Sequence, residues 1–158
     1  MMAVSKNSMI GNAGEYFVCA ELCKRNILAL ITPKNNPLFD IVASDPDGTR
    51  NVHIQVKTMA TTNRQGWKLG VNMTQKRNNS KLFVVLVNMH EDKPNDYYIY
   101  KYDDFAQRVS EVYDEYISAK KKDGTSKKEL KFRFFDFRYF KKKDHNRLNK
   151  WSILGFDK

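Results

Sequence analysis

Apolar and polar residues follow one another in short blocks, and the spacing within each block predicts an element. Residues 8–26 are apolar on most sides of a helical wheel, so they predict a buried helix that begins at Ser8 or Asn12. The wholly apolar residues 27–32 predict a short strand. The chain therefore opens with a helix followed by a strand.

The turn sequence DPDG at 45–48 separates two further strand candidates. Residues 38–44 predict a strand with Asp40 in its middle. Residues 51–58 alternate strictly between apolar and polar positions, which predicts a third strand. Two strands joined by such a turn predict a β-hairpin.

The following segments predict a more buried part of the fold. The continuous apolar run at 82–89 is typical of a strand buried on both faces, and residues 97–102 predict another strand. Residues 103–119 carry apolar side chains three and four apart, which predicts an amphipathic helix capped by Asp103 or Asp104.

The last part of the chain has a weaker pattern. Residues 120–128 predict an exposed loop, and residues 130–140 alternate basic and aromatic side chains, as in a strand with one wet face. Residues 145–155 predict a short helix ended by Gly155. The order of elements predicts one α/β layered domain over residues 1–158, with a basic, aromatic-rich part from about 120 to 158.

Composition supports a globular protein. The 158 residues are 41% hydrophobic and 29% charged, and no apolar run approaches the roughly 20 residues that a membrane span needs. The N-terminal residues lack the pattern of a signal peptide, so the sequence predicts a cytoplasmic location. Cys19 and Cys23 share a helix face, which favours two small buried residues over a disulfide.

Positive charge is concentrated near the C-terminus. Of the net charge of +10, residues 120–150 contribute thirteen Lys or Arg and four Asp or Glu, a net of +9. This distribution fits nucleic acid first and an anionic membrane second, with a merely solvated surface as the alternative. The side chains predicted to contact phosphates are Lys76, Arg77, Arg133, Arg138, Lys141, Lys142 and Lys143.

Aromatic residues near these cations have two interpretations. In residues 130–140 the aromatics are expected to form core while many of the cations contact phosphate. Trp67 follows the third strand, and its pattern leaves stacking on a base and core packing equally open.

Charged and amide side chains lie inside the predicted hairpin, where a reason for them is expected. Gln55 and Lys57 are two residues apart and leave the same face of the sheet, and the hairpin brings Asp40 close to them. Carboxylate and amide oxygens suit a hard cation such as Mg²⁺, while a lysine orients water or offsets phosphate charge. The alternative is a wet hairpin face on which Asp40 and Lys57 form an ordinary salt bridge.

Three short segments resemble motifs of the PD-(D/E)xK nuclease superfamily. They are FDI at 39–41, QVK at 55–57 and GNAGE at 11–15, the last similar to the helix start of Holliday-junction resolvases and related restriction nucleases. The resemblance covers residues 9–90. It implies a restriction-endonuclease-like three-layer core, in which helices flank a central mixed sheet in the order α-β-β-β-α-β.

The resemblance also implies roles for five residues. Asp40 would be the principal ligand of Mg²⁺, for which Mn²⁺ would substitute, and the Gln55 side-chain oxygen and Val56 carbonyl would complete the set. Lys57 would position the attacking water and stabilise the transition state, and Glu15 would lie close to the metal. Most members have Glu at the position of Gln55, so weaker metal binding is expected here.

The function that follows is metal-dependent hydrolysis of DNA phosphodiester bonds. Many members of the superfamily work as dimers to cut two strands, so the resemblance also implies a homodimer. Two alternatives stay open. One is a nuclease fold that binds nucleic acid with weak or no catalysis, of which Gln55 would be a trace. The other is a basic interaction domain that docks on an acidic partner.

Overall fold

The computed structural model describes residues 5–34 and 36–156. Within them the helices are α1 (Lys6–Lys24), α2 (Tyr102–Ser118) and α3 (Lys142–His145). The strands are β1 (Leu28–Ile31), β2 (Ile41–Ser44), β3 (Asn51–Met59), β4 (Gly66–Leu69), β5 (Leu82–Asn88), β6 (Asp96–Lys101) and β7 (Arg133–Asp136). Short 3₁₀ helices cover Val71–Thr74, Phe137–Tyr139 and Trp151–Leu154.

Five strands form a mixed sheet in the order β1-β2-β3-β5-β6. The predicted hairpin is confirmed, because β2 and β3 pair antiparallel on either side of the DPDG turn. β5 pairs parallel with β3 and antiparallel with β6. Its residues are buried except at the last position, as its continuous apolar sequence predicts.

Helices cover this sheet on both faces. On one face α1 packs Val18 and Leu22 against a core that includes Ile54 and Val85. On the other face α2 and a two-stranded sheet, formed by antiparallel β4 and β7, enclose a second core rich in aromatic side chains. The predicted α/β fold, a mixed sheet flanked by helices, is therefore confirmed.

The connection from β3 to β5 differs from the family order α-β-β-β-α-β. It contains β4 and the 3₁₀ helix Val71–Thr74, and the long helix α2 comes only after β6. Trp67 and Leu69 alternate with Lys68, so this segment suits a strand with one buried face. It pairs with β7, which lies more than sixty residues further along the chain.

Helix α1 is less buried than its apolar sequence predicts. It lies on the sheet by one side only, so Tyr16 and Phe17 stay 65% and 42% exposed. Its buried residues are Gly14, Val18 and Leu22. The predicted caps are also wrong, because the Ser5 side chain caps the helix by accepting the N–H of Ser8 at 3.2 Å.

Of two other predicted helix ends, one is wrong and one is confirmed. Asp103 lies in the first turn of α2 instead of capping it, and its carboxylate accepts the backbone N–H groups of Arg77 and Asn78. Gly155 ends the 3₁₀ helix Trp151–Leu154 with φ of 74°, as predicted.

The cysteines are only partly as expected. Both are free thiols, but Cys23 is exposed and Cys19 is half-buried, because α1 turns this side towards solvent. No helix in the described ranges 5–34 and 36–156 has the length and apolar character to cross a membrane.

Candidate active site

Asp40 lies at the point where regular pairing between β2 and β3 ends. It immediately precedes β2, so the expectation that it stands in the middle of a strand is wrong. Its N–H donates to the carbonyl of Ile54 at 2.9 Å, although Ile54 is the register partner of Ile41. Two consecutive residues thus face one, the arrangement of a β-bulge, and a bulge re-aims the side chain next to it.

The Asp40 carboxylate occupies the position of the missing strand partner. Its Oδ2 accepts the N–H of Val56 at 2.7 Å. The N–H and C=O of one residue in an extended strand point to the same side, so the Val56 carbonyl also faces the side of Asp40. The N–H of His53 donates in the opposite direction, to Lys81 beside β5, as strand alternation requires.

Gln55 and Lys57 point to the same face of the sheet, as their spacing predicts. Their register partners in β5, Val84 and Leu86, belong to the core beneath α2. The Gln55 Oε1 atom is buried and has no hydrogen-bond partner among the described residues. A buried oxygen without a partner costs about 1–3 kcal/mol, so this position suits a ligand that accepts its lone pairs.

Glu15 reaches the site because α1 lies unusually close to β3. A Cβ at Gly14 would overlap the hydroxyl of Thr58 and lie 2.8 Å from the Thr58 Cβ, so only glycine allows this approach. Glu15 and Asp40 line the same cavity of about 270 Å³, together with Lys34. The two carboxylates therefore share one cavity, and the Lys57 charge is close enough to act on both.

The electrostatics of this place disfavour two negative charges. Burial raises the pKa of Asp40, against the opposing effects of the Val56 N–H and the Lys57 charge. Burial also raises the pKa of Glu15, the nearby Asp40 carboxylate raises it further, and Lys34 and Lys57 lower it. A cation bound between the carboxylates would stabilise their ionised forms.

The donor set fits a hard cation with few protein ligands. Within the described residues no three His, Cys, Asp or Glu side chains come together as a metal site. The oxygens available are those of Asp40 and Glu15, the unpartnered Gln55 amide oxygen and the Val56 carbonyl. Mg²⁺ keeps several waters and binds through one or two carboxylates, so this set suits it better than Zn²⁺.

Thr32, which the sequence did not single out, holds the backbone of Asp40 in place. Thr32 donates its N–H to the Asp40 carbonyl at 2.9 Å, and its hydroxyl contacts the carbonyls of Phe39 and Asp40 at 3.1 and 3.2 Å. Phe39 stacks on His53 with ring centroids 4.3 Å apart. The FDI motif and the strand alternation place Phe39 and His53, but no sequence signal marks Thr32.

The predicted phosphate-contacting cations have diverse environments. Arg138 is exposed and ion-paired with Asp136, whereas Arg133 is only 8% exposed and donates to the carbonyls of Leu130 and Phe132. Arg133 is therefore not available to a phosphate in this conformation. The alternation in residues 130–140 predicts aromatic side chains facing inward, but in β7 Arg133 is one of the side chains that face inward.

The remaining predicted cations lie at the surface. Lys76 and Arg77 precede β5 in an exposed loop, and Lys141 to Lys143 begin α3. Lys143 donates to Glu111 at 3.0 Å, and Lys141 lies 3.7 Å from Glu115.

Trp67 belongs to the core. Its ring is 2% exposed, and its indole N–H donates to the Val87 carbonyl at 3.2 Å. Of the two interpretations that the sequence left open for Trp67, the structure shows core packing.

The fold places the chain among α/β proteins that share an architecture with nucleases. It is similar to the solved structure of a bacterial homing endonuclease, I-Ssp6803I, with a TM-score of 0.57, 14% identity and coverage of 95% of this chain and 93% of that one. It is also similar to the Holliday junction resolvase Hjc of Archaeoglobus fulgidus, with a TM-score of 0.44, 14% identity and coverage of 81% and 84%. No protein-family model and no curated protein sequence matches the chain.

Proposed function

We propose that this protein is a metal-dependent endonuclease that hydrolyses DNA phosphodiester bonds at a site built from Glu15, Asp40, Gln55, Val56 and Lys57. The observation that carries the proposal is the Asp40 carboxylate, fixed on the N–H of Val56, whose neighbour Gln55 has a buried side-chain oxygen without a partner among the described residues. The fold shared with a homing endonuclease supports it.

The cation of this proposal is Mg²⁺, with Mn²⁺ as a substitute. Asp40, the Gln55 side-chain oxygen and the Val56 carbonyl would hold it, with Glu15 nearby. When bound, the cation supplies a Lewis acid that polarises the phosphate and makes water a better nucleophile at neutral pH.

The protein's own groups would position the reactants. The Val56 N–H and the Thr32 contacts fix the orientation of Asp40, so the carboxylate does not reorganise when substrate arrives. The Lys57 ammonium would donate to the attacking water and offset the charge that develops on the phosphate oxygens. Glu15 would accept a hydrogen bond from water in the shared cavity.

Exposed cations would hold the DNA backbone. We assign this role to Lys76, Arg77, Arg138 and Lys141 to Lys143, which are exposed. Binding of this kind is insensitive to sequence and weakens steeply as salt rises.

We also propose a homodimer, because one such site cuts one strand. The edge strand β1 exposes Leu28 and Leu30 by 53% and 57%, and its outer backbone groups are open to pairing with a second copy. Analytical ultracentrifugation measures this directly, and a monomer at all concentrations used for cleavage would contradict it.

The substitution Lys57→Ala tests the catalytic assignment. We expect the rate of Mg²⁺-dependent plasmid nicking to fall about 10²–10³-fold, because a preorganised donor to the developing charge is lost. DNA binding measured in EDTA should stay within about twofold, since the duplex backbone is held by surface cations.

Lys81→Ala is the matched control, because Lys81 is an exposed lysine next to β5. It should nick at the wild-type rate. Equal nicking by Lys57→Ala and wild type would remove Lys57 from the active site.

A further inference from the structure

A second cavity lies on the outer face of the β4–β7 sheet, away from the site described above. It has a volume of about 340 Å³, within the range of small-molecule sites. Its walls are the C-terminal part of α2, the outer face of β7 and the loop between them. Five aromatic side chains line it: Tyr113, Tyr116, Phe132, Phe134 and Tyr139.

Cations lie against most of these rings. The Lys68 Nζ is 4.6 Å from the centroid of Phe132, and the Lys127 Nζ is 4.1 Å from that of Tyr116. Arg133 lies over Tyr113 in the same manner, at 3.5 Å. The cavity is thus bordered by positive charges at several points.

Phe134 differs from the other four rings. It is partly exposed on the outer face of β7, opposite Lys68 in the register. Phe134 lines the cavity, and no aromatic ring or cation of the described residues stacks on it. An aromatic side chain that lines a cavity beside cations is the arrangement on which unpaired nucleobases stack.

The charges around the cavity favour an anionic ligand. The loop at 119–132 carries six Lys against Asp123 and Glu129. Asp136, the acidic residue of the lining, is ion-paired with Arg138 through Nε at 2.9 Å and Nη2 at 2.6 Å. Arg138 holds the pKa of Asp136 below its usual range against the effect of burial, so this carboxylate stays neutralised as an ion pair.

We propose that this cavity binds an unpaired nucleotide of a DNA strand. The base stacks on Phe134, and the exposed Gln65 amide meets its edge. Lys68, in the lining, and Lys127, which lies against Tyr116, contact the flanking phosphates. An aromatic ligand with attached negative charge satisfies both the Phe134 ring and the cations. The protein would therefore prefer DNA with a single-stranded or extruded base over a fully paired duplex.

Fluorescence anisotropy with the full chain tests this preference. The probes are a labelled oligo-dT strand and a fully paired duplex of the same length, measured in EDTA so that cleavage does not enter. We expect Phe134→Ala to weaken binding of the single strand about tenfold, the typical effect of removing one stacked base, and to leave duplex binding within about twofold. Phe134→Trp keeps an aromatic ring and should bind the single strand like wild type. Phe134→Leu keeps the apolar volume without the ring, and it replaces the alanine variant if that variant does not fold.

Phe17→Ala is the matched control, because Phe17 is 42% exposed on α1, across the central sheet from this cavity. It should bind both probes like wild type. Unchanged single-strand binding by Phe134→Ala or Phe134→Leu would overturn the proposal. An equal loss for strand and duplex would overturn it too, since that result indicates a general effect on charge or folding. Because no cleavage is measured, failure here leaves the proposed nuclease activity untouched.

Discussion

At the scale of single residues, the site depends on an oxygen that the protein leaves unsatisfied. Within the described residues three buried side-chain atoms have no hydrogen-bond partner, and they belong to Gln55, Thr58 and Arg133. Gln55 Oε1 is the one that lies on the same face as Lys57, next to the strand end where Asp40 is held. Such atoms in a folded protein call for an explanation, and a bound cation provides one.

Replacing Gln55 with Glu should strengthen cation binding. The substitution adds a third negative charge, and at the separations of a metal site one charge is worth about 1–4 kcal/mol, so Mn²⁺ affinity should rise about tenfold or more. Without cation the same charge should lower the free energy of unfolding. Isothermal titration calorimetry with Mn²⁺ and urea unfolding in EDTA measure the two effects.

Gln75→Glu adds the same charge at an exposed position in the loop before β5 and serves as control. It should change neither quantity. Identical Mn²⁺ affinities in wild type and Gln55→Glu would argue against a cation at Gln55. A gain of cleavage only in Gln55→Glu would favour the alternative of a nucleic-acid-binding protein with an impaired site.

At the scale of elements, the bulge before β2 and the close approach of α1 to β3 create the site. The bulge directs Asp40 to the Val56 N–H, and Gly14 lets α1 bring Glu15 to the same cavity. Neither feature is a long or regular structure. Each depends on one defined residue, Asp40 in the bulge and Gly14 in α1.

Gly14→Ala should separate these elements. The new Cβ would overlap Thr58, so α1 has to shift, and we expect a loss of about 1–3 kcal/mol in the free energy of unfolding. Cleavage should fall as well, because Glu15 moves with the helix. Urea unfolding and plasmid nicking measure these losses.

Gly11→Ala makes the same change one turn earlier in α1, where a Cβ would meet nothing within 4 Å. It should stabilise the protein by up to about 1 kcal/mol through helix propensity. If the two variants had the same stability, the close approach of α1 to β3 would not be a constraint.

Local patterns predicted the elements better than the contacts between them. Strict alternation and the DPDG turn identify the hairpin, so the sequence predicts that Asp40 and Lys57 lie near each other. The bulge at Asp40 and the hydrogen bonds from Thr32 to its backbone are contacts between separate segments. The spacing of apolar and polar residues along the chain does not predict such contacts. In β7 the alternation predicts the wrong face inward: Arg133 is buried on Tyr113, while Phe134 lies on the outer face.

At the scale of the whole molecule, a buried ion pair attaches the basic C-terminal part to the rest of the fold. Asp144 of α3 is 0% exposed and accepts from Arg108 Nε at 3.0 Å and from the Tyr100 hydroxyl at 3.1 Å. The Lys141 N–H donates to the same carboxylate at 2.9 Å. The position of the cations in α3 therefore depends on this contact.

Asp144→Ala should cost about 3 kcal/mol of unfolding free energy, because Arg108 loses its buried partner and keeps only the partly exposed Glu111. Burial raises the pKa of Asp144, but Arg108, the Lys141 N–H and the Tyr100 hydroxyl together lower it more, so the pKa lies below its usual value. The stability that this group contributes is thus present above about pH 4 and is lost as pH falls through the lowered pKa. Urea unfolding at several pH values measures both effects.

Asp123→Ala removes a carboxylate from an exposed loop and should leave the free energy of unfolding unchanged. If wild type and Asp144→Ala lost stability in parallel below pH 4, the ion pair would not be the acid-sensitive contact. An unfolding free energy of Asp144→Ala equal to wild type would show that the C-terminal part is held by other contacts.

The proposed function requires Asp40, Gln55 and Val56 to form a cation site. A crystal of the protein soaked in Mn²⁺, with anomalous diffraction recorded to locate the metal, reveals whether they do. We expect one anomalous peak in contact with an Asp40 carboxylate oxygen, Gln55 Oε1 and the Val56 carbonyl oxygen. An occupied Mn²⁺ site elsewhere, with Gln55 hydrogen-bonded to protein or water and no peak at Asp40, would contradict it.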